Sequence, residues 1–188
     1  MQTGVQTGGQ TGGQGRVRDA VPGDAAACAG VYAPYVTGTA VSFESEPPSA
    51  GEMAARMAAA HAWLVLEDAT GRVVGYAYGG PYRTRPAYRW ACEVSVYLEQ
   101  GLRRAGGGRA LYEALLARLA ERGHRTVLAG MTLPNPASEG LHRALGFVPV
   151  GVHRRVGWKH GAWHDVAWVQ RDLAAGQAAG DDPPAEPG

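Results

Sequence analysis

The chain has 188 residues, 45% hydrophobic and 19% charged, with a formal net charge of +1. That length fits one domain with tails, and that balance supports a buried core. It gives no bulk basic field for nucleic acid, and no run approaches the roughly 20 apolar residues of a membrane span. Two cysteines, Cys28 and Cys92, are too few for a disulfide scaffold. The N-terminus lacks the basic and apolar regions of a secretory signal. A cytoplasmic, reduced protein is expected, with no nucleic-acid partner and no membrane partner.

Residues 1–15 are a Gln-Thr-Gly repeat without charge or apolar periodicity. Such a segment cannot offset its ordering entropy and reads as a disordered tail. Residues 174–188, rich in Pro, Gly and Ala, read the same way, which leaves 16–173 as the folded domain. Residues 16–21 suit a first strand, and Pro22-Gly-Asp24 opens a helix with Asp24 as its N-cap. Val31, Tyr32 and Tyr35 give that helix an apolar face. Ser49-Ala-Gly-Glu52 has the form of a capping box for a second helix, reaching about His61. Runs 63–66 and 72–78 read as strands joined by a tight turn at 68–71. Residues 90–98 form a further strand, with Val94, Val96 and Leu98 on one face and Glu93, Ser95 and Tyr97 on the other.

The segment Arg103-Arg-Ala-Gly-Gly-Gly108 runs into an amphipathic helix over 109–122. Leu111, Leu115 and Leu119 share its apolar face with Tyr112 and Leu116 beside them, and Gly123 is its stop. A strand over 125–133, a short helix over 135–145 ended by Gly146, and strands over 147–152 and 163–169 follow. An early hairpin, a central βαβ unit and late strands predict an α+β (mixed α/β) fold rather than a doubly wound sheet.

Strand 90–98, the glycine loop and helix 109–122 are the most informative local unit. Glycines allow close approach of backbone to a ligand. Free amides at a helix N-terminus form an anion site suited to phosphate, and Arg103 and Arg104 add charged donors. The loop is neither a Walker A motif nor G-x-G-x-x-G.

Val94-Ser-Val96 followed by Arg103-x-x-Gly106-x-Gly108 resembles the acetyl-CoA motif of the GNAT N-acetyltransferases. Six further stretches resemble the phosphinothricin (glufosinate) N-acetyltransferases within that superfamily. These are Ser42–Pro48, Gly75–Pro81, Ala87–Trp90, Leu133–Asn135, Leu141–Phe147 and Lys159–Val166. The resemblance covers about residues 16–173. It implies a central, mostly antiparallel sheet with helices on both faces, acetyl-CoA as co-substrate and a homodimer. It implies cofactor contacts from Val94, Ser95, Val96, Arg103, Arg104, Ala105, Gly106, Gly107, Gly108, Asn135 and Ser138. The loop departs from the family's Arg-Gly-x-Gly-x-Gly at Arg104, Ala105 and Gly107. A third consecutive glycine is expected to loosen the helix start by about 1 kcal/mol.

Acetyl transfer to an amine requires a base, stabilisation of the oxyanion and close positioning of the reactants. Glu93 occupies the position of the family's proposed catalytic glutamate and is the candidate base. His142 matches the family's substrate-facing histidine. It either contacts the acceptor and the oxyanion or is a half-buried packing residue. His160 and His164 either shape the cavity or lie at a dimer contact. Arg83, Arg85 and Tyr88 precede the catalytic strand in one loop. With Arg104 and an apolar wall at Phe43 they match substrate-contacting positions, and the forked guanidinium donors suit a carboxylate and a phosphinate. Tyr97 reads as core or wall. Cys92 reads as a buried inert thiol, and no His/Cys/Asp spacing suggests a metal set. The expected activity is acetyl-CoA-dependent N-acetylation of phosphinothricin or a related small anionic amino acid. The alternatives are another small amine as acceptor, or a CoA-binding module without turnover.

Overall fold

A computed structural model describes residues 15–102, 106–173 and 186–187. The two sequence-expected tails lie almost wholly outside the described residues. The described residues form seven strands, in chain order β1 (Arg16–Asp19), β2 (Ala62–Glu67), β3 (Val73–Pro81), β4 (Ala91–Leu98), β5 (Thr126–Thr132), β6 (Val148–Lys159) and β7 (Ala162–Asp172). The α-helices are α1 (Ala25–Gly38), α2 (Ala50–Ala59), α3 (Gly107–Glu121) and α4 (Pro136–Ala144). The sheet order is β1-β2-β3-β4-β5-β7-β6. Every neighbouring pair is antiparallel except β4 with β5, which the crossover helix α3 joins in parallel.

Period-2 alternation gives the sheet two apolar faces, each covered by helices. On one face Leu64, Leu66, Ala77, Cys92 and Val94 pack with Leu111, Leu115 and Leu119 of α3 and with Leu145 just after α4. On the other, Trp63, Val65 and Tyr76 pack with Cys28, Tyr32 and Val36 of α1 and Met53 of α2. Glu93, Ser95 and Tyr97 belong to this second face, because Tyr78 lies opposite Ser95 and Tyr76 opposite Tyr97 in the β3–β4 register.

The elements follow the sequence pattern with local differences. Ser49 and Glu52 form the expected capping box at α2, with Glu52 N–H donating to Ser49 Oγ at 3.2 Å and Ser49 N–H to Glu52 Oε2 at 2.8 Å. Asp24 does not cap α1 with its side chain. Its carboxylate accepts from the Val21 N–H at 2.8 Å and from both terminal nitrogens of Arg18 at 2.7 and 2.9 Å. It therefore closes a 3-10 turn over Pro22–Asp24, and the first strand ends at Asp19 rather than 21. The strand expected over 147–152 extends to Lys159. Its register against β7 shifts between His153 and Gly157, and residues 150–156 are exposed, so no period-2 pattern marks them.

The Arg18 guanidinium holds the Asp24 carboxyl below the usual carboxylate range. A depressed folded-state pKa contributes stability above the unfolded pKa, and that contribution is lost as pH falls below about 4. Asp24→Asn is expected to cost about 1.5–3 kcal/mol at pH 7, the range for hydrogen bonds to charged groups. Urea unfolding at pH 7 and pH 3.5 checks this: the difference between mutant and wild type shrinks at the lower pH.

Candidate active site

The parallel strands β4 and β5 pair only at their beginnings, Ala91–Glu93 against Thr126–Leu128. Past that point the strands no longer pair, although β4 continues to Leu98 and β5 to Thr132. A cavity of about 640 Å³ fills the wedge. Its walls are Val94–Leu98 of β4, Gly106–Gly108, Arg109 and Tyr112 of the α3 entry, Gly130 and Met131 of β5, and Asn135, Ser138, Leu141 and His142 around α4. The β4 edge that faces β5 thus offers backbone N–H and C=O groups to the cavity rather than to a neighbouring strand.

The α3 entry supplies a second set of donors. The Ala110 N–H to Gly106 carbonyl bond, 2.9 Å, is the first helical bond. The amides of Gly107, Gly108 and Arg109 come before it in the free first turn. Among the described residues no side chain caps this end. The positive end of the helix dipole and its free amides therefore face the cavity, an arrangement suited to an anion such as phosphate. Gly106 has φ +73°, a conformation that favours glycine. A Cβ on Gly107 would meet Leu66 Cδ2 at 2.6 Å. Gly107 thus lets the first turn of α3 close against β2. Arg103, Arg104 and Ala105 lie outside the described residues.

Glu93 sits one residue before the cavity wall begins, on the opposite face of β4. It is half-buried, and that burial raises its pKa, with the Arg83 charge acting in the other direction. Burial likewise pushes up the pKa of Tyr78, which lies opposite Ser95, two residues along β4 from Glu93. Arg83, Arg85 and Tyr88 are exposed and do not line the cavity. The Arg83 guanidinium stacks on Tyr82 with its carbon 4.4 Å from the ring centroid, and its charge reaches Glu93. Tyr82 also meets Tyr88 edge-on at 5.7 Å. Of the expected acceptor contacts, the fold brings Arg83 into electrostatic reach of Glu93.

His142 is buried, at 3% exposure, with both ring nitrogens engaged. Nδ1 lies 2.8 Å from the Ser138 carbonyl, which can only accept, so Nδ1 carries a proton. Burial lowers the pKa of this histidine, which leaves Nε2 unprotonated to accept from the Tyr112 hydroxyl at 3.1 Å. His142 therefore meets the cavity together with Tyr112, a residue the sequence showed only as part of the apolar stripe of α3. Asn135 caps α4 as expected, its Oδ1 accepting from the Ser138 N–H at 3.1 Å.

The segment between α1 and α2 is tied to the β6–β7 hairpin. Lys159 Nζ donates to the carbonyls of Val36, Ser42 and Glu44 at 2.5, 2.6 and 2.9 Å. Phe43 covers Gly157, where a Cβ would lie 2.2 Å from its ring, and comes within 6.1 Å of the His164 ring. Glu44 accepts from both terminal nitrogens of Arg56 and from the Tyr32 hydroxyl. His160 and His164 make backbone contacts with Thr39 and Lys159. Tyr97 lines the cavity and packs edge-on against Tyr32 and Tyr35 at 4.8 and 5.3 Å. The Lys159 clamp was missed from sequence, because lysine–carbonyl bonds across more than a hundred residues leave no local pattern.

Local spacing suggested no metal set. The fold nevertheless brings His61, Cys92 and His124 together, with ligand atoms within 4.8 Å of one another, at the end of the sheet away from the cavity.

Residues 32–147 match the Acetyltransferase (GNAT) family. A phosphinothricin N-acetyltransferase of Streptomyces viridochromogenes is 39% identical over 160 residues, which is 84% of this chain and 87% of that protein. One from Alcaligenes faecalis is 44% identical over 159 residues, 81% of this chain and 80% of that protein. The crystal structure of a phosphinothricin acetyltransferase from Sinorhizobium meliloti in complex with acetyl-CoA matches at a TM-score of 0.84 and 37% identity, covering 89% of this chain and 92% of that one. The mixed α+β fold matches that structure, and the chain belongs to the GNAT family of acetyltransferases.

Two glycines of the α3 entry are expected to respond oppositely to a methyl group. Gly106→Ala costs about 1–2 kcal/mol, the penalty of a left-handed backbone. Gly108→Ala, where a Cβ makes ordinary contacts at 3.5 and 3.6 Å, stabilises the helix by up to about 1 kcal/mol. Urea unfolding of both variants checks the signs. Tyr112→Phe leaves the His142 Nε2 without its donor and is expected to cost about 1–3 kcal/mol in the same measurement.

Proposed function

We propose that this protein transfers the acetyl group of acetyl-CoA to the amino group of phosphinothricin or a closely related anionic amino acid, such as methionine sulfoximine or methionine sulfone. The observation that carries this reading is the split between β4 and β5. It aligns an unpaired β4 edge with the free amides of α3, and its wall starts one residue after a half-buried glutamate. The pantetheine arm, itself amide-bearing, pairs with Val94–Val96 like an added strand. The pyrophosphate lies on the amides of Gly106–Gly108, the resemblance adds Arg103, Arg104 and Ala105 as cofactor contacts outside the described residues, and Asn135 and Ser138 border the arm on the α4 side.

Transfer is direct, within one ternary complex. The neutral amine attacks the thioester carbonyl carbon, the N–C bond forms, and Glu93 accepts the amine proton directly or through one water. The tetrahedral intermediate then collapses, the C–S bond breaks, and the CoA thiolate takes up a proton. Burial raises the Glu93 pKa, which makes it a stronger base than an exposed glutamate. His142 and Tyr112 act as a hydrogen-bonded unit beside the thioester. Arg83, Arg85 and Arg104 hold the carboxylate and phosphinate, with Tyr88 and Phe43 as walls. Acetylation removes the ammonium charge by which an amino-acid analogue is recognised, so the physiological role is detoxification of the acceptor, the chemistry of resistance to such a herbicide.

The working unit is a homodimer. The β6–β7 arm exposes Val148, Val150, Val152, Val156, Trp158 and Trp163, and β6 is a long unpaired edge that a second copy covers. The reaction belongs in the reducing cytoplasm, where the buried Cys28 and Cys92 form no disulfide.

Thiol release from acetyl-CoA, measured against phosphinothricin, methionine sulfone and a neutral amine of similar size, tests the assignment. Highest kcat/KM is expected for the anionic amino acids, and equal values for the neutral amine would contradict the substrate class. In the same assay Glu93→Gln is expected to lower kcat by at least about 10²-fold, the lower end for loss of a general base. Arg83→Ala raises KM for the anionic acceptors by about 1.5–3 kcal/mol equivalent and leaves the neutral amine nearly unchanged.

A further inference from the structure

The end of the sheet opposite the cavity holds a cluster that acetyl transfer does not use. His61 precedes β2, Cys92 is the second residue of β4, and His124 lies two residues before β5. One imidazole nitrogen or sulfur from each lies within 4.8 Å of the others. The two imidazoles face each other with centroids 4.5 Å apart. Cys92 and His124 are buried, at 0% and 2% exposure, and His61 is half-buried.

His124 is the anomalous member. Among the described residues neither of its ring nitrogens has a hydrogen-bond partner, although both are sealed from solvent. The Arg89 backbone carbonyl is felt by the ring but stands outside hydrogen-bond geometry. A buried polar group without a partner is costly, and native interiors rarely keep one without a reason. A metal ion supplies the missing partner to one nitrogen, and orientation of the other nitrogen by a nearby carbonyl is the usual support for a metal-bound histidine.

We infer that His61, Cys92 and His124 form a binding site for one zinc-type divalent ion, which ties together the starts of β2, β4 and β5. Two imidazoles and one thiolate are a borderline-soft donor set that suits tetrahedral zinc, with water in the fourth position. Tetrahedral ligands around zinc stand about 3.3–3.7 Å apart, so the three groups close by about 1 Å on binding. Entry runs past His61, which lines a groove of about 390 Å³ between the start of β2, α2 and the end of α3. One charge and one proton bear on the site. Arg122 on the groove rim repels a cation, but its side chain is exposed and screened by solvent. Burial pushes the Cys92 thiol up to about 12, and a coordinating metal displaces that proton on binding. The ion holds together the paired end of β4 and β5, the hinge from which the active-site wedge opens.

The test is cobalt(II) titration of the tag-free, full-length protein after treatment with a chelator, followed by absorbance and by thermal unfolding with zinc. Expected are saturation at one equivalent, a thiolate-to-cobalt charge-transfer band, tetrahedral d–d bands and a higher melting midpoint with zinc. Cys92→Ser removes the charge-transfer band and weakens binding by at least about 100-fold, the upper end for loss of a mere outer-shell partner. Cys28→Ala leaves band and affinity unchanged. Should Cys92→Ser fail to fold, His61→Ala at the half-buried rim gives the second reading, and it too weakens binding while circular dichroism stays native. The inference is overturned by an absence of saturable uptake with metal in excess, or by a charge-transfer band that survives in Cys92→Ser. Affinity unchanged in a folded His61→Ala overturns it as well. None of these readouts depends on acetyl transfer.

Discussion

Two parallel strands that pair for three residues and then part determine the rest of this molecule. Had β4 and β5 stayed in register to their ends, the sheet would be continuous and its backbone groups satisfied. Because pairing stops at Glu93 and Leu128, the edge of Val94–Leu98 opens into the cavity, and the crossover helix α3 delivers its uncapped N-terminus to the same space. Short range is what makes this work. A hydrogen-bonding edge and a helix dipole act only over the first turn or the nearest strand spacing, so both have to meet at one point.

The wedge is held from both sides. On the α3 face, Gly107 lets the helix close on Leu66 while Leu111, Leu115 and Leu119 bury the remainder. On the other face, stacked Trp63, Tyr76 and Tyr78 and edge-on Tyr32 and Tyr97 make a stiff aromatic layer beneath Glu93 and Ser95. Aromatic rings bury large areas with few rotatable bonds, so they fix the neighbouring strand at low entropic cost. Lys159 and the Tyr32–Glu44–Arg56 group then fasten the α1–α2 segment over this layer.

Local signals in the sequence were reliable where a few adjacent residues carry the physics. The capping box at Ser49, the turn at 68–71, the apolar stripe of α3 and the Asn135 cap all appear where their patterns put them. The mixed fold followed from the same patterns, and the family from the resemblance of Val94–Val96, the glycine loop and six further stretches to known acetyltransferases. Long-range partners were not legible. Asp24 stands at the cap position of α1, but its carboxylate is taken by Arg18 and by the Val21 N–H that precedes the helix, so it does not cap with its side chain. Tyr112 lies in the core as its place on the apolar stripe indicates, but its hydroxyl's partner, His142, is thirty residues away and was not legible. The trio His61, Cys92 and His124 carries no motif at all, since only the strand pairing brings its members together.

The most direct test of the wedge as the cofactor site is amide hydrogen exchange with and without acetyl-CoA. Protection is expected to rise on binding at the amides of Val94–Leu98 and of Gly106–Arg109, with little change at Ala91–Glu93, which already pair with β5. Protection confined to other segments, or none at saturating acetyl-CoA, would contradict the account.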